Sequence, residues 1–188
     1  QTQQEQHGDW GHNVLTFNQM EEDNFTIISD QLKYKDNYLE KDLIESIHNK
    51  LTDPYCPWIL HYTRPEDDTS FWHCPLDDSS SLKTEVDYLK TKIKKPIKRI
   101  YANGQTYTQH GDFHPDDGQE TILVGINKEF DSSHGGGTEF LIKDNTSYVI
   151  YPTFNRGIVF NSKILHRALP TITKIFRITL AIKTGYDE

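Results

Sequence analysis

The stretch Ile175 to Lys183 reads Ile-Phe-Arg-Ile-Thr-Leu-Ala-Ile-Lys. In an extended chain, side chains alternate between two faces. Phe176, Ile178, Leu180 and Ile182 therefore share one face, and Arg177, Thr179 and Ala181 share the other. An arginine in the middle of so apolar a strand needs an anion, because a guanidinium is almost never buried unpaired. With Thr179 beside it, Arg177 can hold a carboxylate through a bidentate, charge-assisted pair plus a hydroxyl. The other reading is a structural salt bridge with an internal Asp or Glu.

Upstream of this strand, short β-rich segments follow one another between Gly, Asp, Asn and Pro. They are Ile97–Ala102, Thr106–Gln109, Thr121–Ile126, Thr138–Ile142, Ser147–Tyr151 and Ile158–Asn161. Many short strands with turn chemistry between them point to a barrel, a sandwich or a jelly roll. Before them come strands at Phe25–Ser29, Trp58–Tyr62 and Ser70–Cys74, and two helices. Tyr38–Leu51 repeats Leu39, Leu43, Ile44, Ile47 and Leu51 at helical spacing and ends at Asp53-Pro54. Leu82–Lys94 stops near Pro96. The expected fold is mainly β with supporting α, as one domain spanning residues 1–188. Within it, residues 1–24 form a loosely held polar arm, 25–96 a helix-rich support and 97–185 the β core.

The chain of 188 residues suits one sizeable core. Its net charge of −8 argues against nucleic acid as a general partner. The basic stretch Lys90 to Arg99 reads as a solvated helix face and the linker after it. No apolar run approaches a membrane span, and Gln1 to Gln6 lack the charged and apolar regions of a signal peptide. Two cysteines, Cys56 and Cys74, make neither a disulfide framework nor a CxxC metal site. A reducing, cytoplasmic setting is the expectation.

Metal chemistry is suggested by His-x-Asp, whose two side chains project to the same side of an extended chain. A facial arrangement of two His and one carboxylate leaves positions open on an iron. The pattern occurs three times, at His7/Asp9, His110/Asp112 and His114/Asp116. His7 lies in the polar arm. The other two pairs lie on one segment, Tyr107 to Asp117, and periodicity cannot separate them because all four side chains share parity. A later His must complete the set. His134 sits in a Ser-Ser-His-Gly-Gly-Gly loop and reads as solvent-facing. His166 follows the apolar strand Gly157 to Ser162 and precedes Arg177 by eleven residues.

The order YANGQTYTQHGDFHPDD, TILVGIN, GGGTEF, GIVFNSKILHRAL and FRITLAIK resembles the 2-oxoglutarate/Fe(II)-dependent oxygenase superfamily, in its prolyl 4-hydroxylase-like branch. The resemblance covers roughly residues 97–184. It extends loosely to Ser70–His73, which is similar to a feature of small bacterial and phage-type members. It implies a double-stranded β-helix (jelly-roll) core with the N-terminal helices packed on it. It also implies iron ligands His114, Asp116 and His166, with His110/Asp112 as the alternative pair, and Arg177 and Thr179 at the distal carboxylate of 2-oxoglutarate. Tyr101, then Tyr107, are the implied tyrosines near the cosubstrate. Thr138 is an additional contact, with Gly135 to Gly137 allowing close backbone passage. The implied cofactors are Fe(II), 2-oxoglutarate and O2, with ascorbate as reductant. The implied activity is hydroxylation of a prolyl residue in a peptide or protein, releasing succinate and CO2. The same chemistry on a free amino acid, small molecule or nucleobase is the alternative, and a non-enzymatic β-barrel binding module is a further one. Trp58, Trp72, Tyr107 and Arg167 are groove-lining candidates that core packing or solvation explains as well.

Overall fold

The computed structural model describes residues 24–62, 69–76, 81–143 and 146–185. Most of the polar arm, including His7 and Asp9, lies outside these. The elements are β1 (Thr26–Ser29), β2 (Leu32–Lys35), α1 (Lys41–Leu51), β3 (Ile59–Tyr62), β4 (Ser70–Pro75), α2 (Lys83–Lys92), β5 (Ile97–Gln105), β6 (Glu120–Gly125), a 3-10 turn (Ser132–His134), β7 (Thr138–Ile142), β8 (Thr146–Ile150), β9 (Gly157–Asn161), β10 (His166–Ala168) and β11 (Arg177–Thr184).

Eight strands form one antiparallel sheet in the order β1-β2-β9-β6-β11-β5-β4-β3, and three form a smaller one, β10-β7-β8. This is the jelly-roll arrangement, with β11 at the centre of the large sheet between β5 and β6. The alternation expected of β11 is realised. Ile178, Leu180 and Ile182 join Ile100, Ala102, Ile122 and Val124 on the outer face, where Ile44, Ile47 and Leu51 of α1 and Val86 and Leu89 of α2 cover them. The opposite face, with Ala181 and Leu123, meets Phe140 and Ile150 of the small sheet. Both faces of β11 are covered, so every one of its residues is buried. Apolar burial on two sides, at about 25 cal/mol per Å², is the main force holding the layers together.

Three departures from the sequence expectation have local causes. Thr106–Gln109 is not a strand. The Gln109 side chain accepts hydrogen bonds from the Thr106 amide (2.7 Å) and hydroxyl (2.9 Å), and Thr108 sits at φ 65°, so the chain turns there. β5 instead runs on through Gly104, where the Phe176 ring lies so close to the backbone that a Cβ would meet it at 2.1 Å. β2 and β10 are strands of four and three residues that periodicity does not reveal.

Trp58 and Trp72 are packing residues that meet the Phe176 ring edge-on, at centroid distances of 5.0 and 6.4 Å. Arg167 pairs with Glu139 (2.7 Å) and covers the Phe113 ring. Much of the basic stretch is spent on surface ion pairs, Lys92–Glu40 and Lys95–Glu120, both 2.8 Å. Cys56 and Cys74 are free thiols with sulfurs 3.7 Å apart. Among the described residues, no helix is long and apolar enough to cross a membrane.

Candidate metal and oxoacid site

A cavity of about 380 Å³ lies between the two sheets. Its floor is the inner face of the large sheet, through Arg177, Thr179 and Lys183 of β11, Tyr101 and Asn103 of β5 and Leu123 of β6. Its opposite wall carries Thr138, His114, Asp116 and His166. Volumes in this range suit a small ligand held by a few convergent polar groups.

The two histidines are fixed as a pair by the backbone. The His114 amide donates to the His166 carbonyl (3.0 Å), and the His166 amide donates back (3.1 Å). In antiparallel pairing this sets residues directly opposite each other, and the two rings lie 4.5 Å apart. Asp116, two residues on, is anchored by its amide to the Ser162 carbonyl (2.7 Å). One ligand atom from each of His114, Asp116 and His166 lies within 4.8 Å of the others. His110 and Asp112 are exposed.

Second contacts then orient each donor. His114 Nδ1 lies 2.8 Å from the Asp112 carbonyl, and His166 Nδ1 lies 2.9 Å from the Ile164 carbonyl. A carbonyl can only accept, so each Nδ1 carries a proton and each Nε2 is the nitrogen left to face a metal. The Nε2 atoms face Asp116, at 3.8 Å from Oδ1 for His114 and 3.4 Å from Oδ2 for His166. Burial, and then the neighbouring His166, push His114 below its ordinary pKa of 6.5, against the pull of the Asp112 carbonyl. Burial alone would raise Asp116. His166 and the Lys183 charge outweigh it and hold the carboxyl well below the usual carboxylate range. The cluster thus presents two imidazoles and one carboxylate, the donor set that suits a non-haem Fe(II). Phe140 and Phe160 pack on the His166 ring and keep it dry.

Arg177 occupies another part of the same cavity and is 3% exposed. It donates to Gln105 Oε1 (2.5 Å) and Thr138 Oγ1 (3.2 Å). Its buried Nε–H has no partner, and among the described residues no carboxylate pairs with it. Burial draws its pKa down to about 10, so the group stays cationic at neutral pH. An orphaned donor on a buried cation is the signature of a missing anion. Gly136, at φ 63°, brings backbone against it; a Cβ there would meet Arg177 Cδ at 3.0 Å. The 3-10 turn before this glycine is capped by the Asp131 and His134 side chains, so His134 is held in the turn and lies away from the metal cluster.

Thr179, Tyr101 and Thr138 line the cavity, but Tyr107 does not: it is 59% exposed. It lies in the turn that replaces the expected strand, which is why its side chain leaves the site. Lys183, Thr121 and Gln105 also touch the site residues and carry no motif of their own. Lys183 continues the parity of Arg177, Thr179 and Ala181, and that was the available signal.

Two imidazoles and a carboxylate on a jelly roll, facing a buried unpaired cation, define the non-haem iron oxygenase class that uses an oxoacid. Residues 98–182, the β-rich part of the chain, match the family model of the 2OG-Fe(II) oxygenase superfamily. Its members are 2-oxoglutarate-dependent dioxygenases working with Fe(II). No curated protein is a significant sequence match.

Solved structures share the fold at low identity. A prolyl-4-hydroxylase from Pseudomonas putida is 14% identical, with a TM-score of 0.66 over 84% of this chain and 94% of that one. A prolyl hydroxylase from Trichoplax adhaerens, solved with a hypoxia inducible factor peptide fragment, is 15% identical, with a TM-score of 0.65 over 84% of each chain. HygX from Streptomyces hygroscopicus, solved with nickel and 2-oxoglutarate, is 12% identical, with a TM-score of 0.61 over 90% and 86%.

Proposed function

We propose that this dioxygenase hydroxylates a prolyl residue in a peptide or protein. In this reading His114, Asp116 and His166 hold Fe(II), and Arg177, aided by Thr138 and Thr179, receives the distal carboxylate of 2-oxoglutarate. The carrying observation is the meeting of two Nε2 atoms and a carboxylate with a buried guanidinium whose Nε–H has no partner, in one cavity. Bound together, Fe(II), 2-oxoglutarate and O2 supply the oxidising chemistry, with succinate and CO2 as by-products.

The chain's own residues position and exclude. The Asp112 and Ile164 carbonyls fix the imidazole tautomers, Arg177 sets the depth of the cosubstrate, and Phe140 and Phe160 keep water from His166. Tyr101, on the floor of the cavity, is a further cosubstrate contact. The helices share one core cluster with β5, β6 and β11, which supports a single oxygenase domain. A peptide substrate draws support from the Trichoplax neighbour, which was solved with a peptide fragment.

The test is succinate formation with Fe(II), ascorbate and 2-oxoglutarate, with and without proline-containing peptides. Peptide-stimulated turnover and a mass gain of one oxygen on proline are expected. Equal stimulation by the same peptides with alanine in place of proline would overturn the prolyl assignment and direct the search to free amino acids, small molecules or nucleobases.

A further inference from the structure

Lys183 is a fully buried lysine with no part in the scheme above. It is 2% exposed and lies on the cavity face of β11, six residues beyond Arg177. Its ammonium contacts Oδ2 of Asp116 and donates to Thr121 Oγ1 at 3.3 Å. Thr121, directly opposite Lys183 in the β6–β11 register, donates its hydroxyl to the same Oδ2 at 2.7 Å and lies 3.2 Å from Ser162 Oγ. Two donors from two adjacent strands therefore converge on one oxygen of the carboxylate. The other oxygen, Oδ1, carries neither donor and lies 3.8 Å from His114 Nε2, while His166 Nε2 lies 3.4 Å from Oδ2.

We infer that Lys183 is a positioning residue that, with Thr121, occupies Oδ2 of Asp116 and so restricts the carboxylate to one-oxygen coordination of the metal. The inference rests on the proposed reading that His114, Asp116 and His166 hold a metal. Carboxylates bind hard cations through one oxygen or two, and the difference in energy is small enough for neighbouring hydrogen bonds to decide it. The consequence is chemical. Three protein atoms on a six-coordinate ion leave three positions, two for a chelating oxoacid and one for O2. A second oxygen from Asp116 would close one of them. Engaging Oδ2 with a cation and a hydroxyl makes its lone pairs poor ligands and keeps all three positions open.

The experiment counts those positions without turnover. Mn(II) is bound to the full chain without cosubstrate, and the water-proton relaxation enhancement at saturating protein reports the metal-bound waters. Wild type is compared with Lys183→Met, which keeps the length of the side chain and removes its donor. Folding is checked by circular dichroism. Wild type is expected to hold three exchangeable waters and Lys183→Met two, a fall in the inner-sphere contribution of about one third. Loss of Mn(II) from a folded Lys183→Met would overturn the inference, because freeing Oδ2 and removing a neighbouring positive charge both strengthen cation binding.

An unchanged enhancement in a folded Lys183→Met that binds Mn(II) would overturn the inference. If that variant does not fold, Lys183→Gln is read the same way. If neither folds, wild type decides: a two-water value overturns the inference, and a three-water value sustains it. A wild type that binds no Mn(II) overturns the metal reading as well, which separates the two failures.

Discussion

Replacing Arg177 by methionine keeps most of the buried stem and removes the charge, and its effect can be sized from the contacts. A guanidinium has five N–H donors. One is used on Gln105 and one on Thr138, which leaves three, including the orphaned Nε–H, to meet a carboxylate. Truncating one partner of a buried, hydrogen-bonded charge pair costs about 2–5 kcal/mol. At about 1.4 kcal/mol per decade, this weakens 2-oxoglutarate binding by roughly one and a half to three and a half powers of ten. The assay is anaerobic titration of 2-oxoglutarate into Fe(II)-loaded protein, followed by the absorption of the chelate.

The control is 2-oxobutanoate, which chelates through the same oxoacid end but lacks the distal carboxylate. Its affinity is expected to be nearly equal in wild type and Arg177→Met, because either change removes the same interaction and the two losses do not add. A loss under about fivefold for 2-oxoglutarate, or an equal loss for both oxoacids, would refute the assignment of Arg177 as the carboxylate clamp.

His114→Ala, Asp116→Ala and His166→Ala are each expected to abolish stoichiometric Fe(II) binding by metal analysis, while His110→Ala and Asp112→Ala retain it; Asp112 contributes only its backbone carbonyl. Gly136→Ala forces a Cβ against Phe130, Thr171 and Arg177 at a positive φ. It should cost about 1–3 kcal/mol in chemical denaturation and weaken 2-oxoglutarate in parallel, since Arg177 must shift. Glu85 joins α2 to α1 through Lys50 (2.8 Å) and Ser46 (2.6 Å). Burial raises its pKa, but these partners outweigh it and leave the group below its ordinary 4.5. A depressed carboxyl adds stability that is present above the unfolded pKa and fades as pH falls below it. Glu85→Gln should therefore be less stable than wild type at pH 7, and the gap in urea midpoints should narrow as pH drops below about 4.5. A gap that widens in acid would contradict this.

The legible part of the molecule was whatever period and parity can carry. The two faces of β11, the apolar stripe of α1 and the placement of His166 after a buried strand follow from alternation. The choice between His110/Asp112 and His114/Asp116 did not, because the four residues share parity and differ only in which one pairs with β10. That pairing is a long-range contact between positions 114 and 166, which no local signal records. Lys183 is hidden from the sequence for a related reason. A lysine at the end of a strand reads as a solvent-facing terminus, and only the closing of Asp116 and Thr121 over it makes it interior. Tyr107 went the other way: a side-chain cap from Gln109 turned an apparent strand into a bend and carried the ring outside.

A crystal structure of the chain with Mn(II) and 2-oxoglutarate, grown under anaerobic conditions, shows directly whether His114, Asp116, His166 and Arg177 hold the metal and the oxoacid. The metal is predicted within coordination distance of Nε2 of His114, Nε2 of His166 and one oxygen of Asp116, with the distal carboxylate of the oxoacid on Arg177. Metal bound elsewhere, or an oxoacid whose far end does not reach Arg177, would contradict the account.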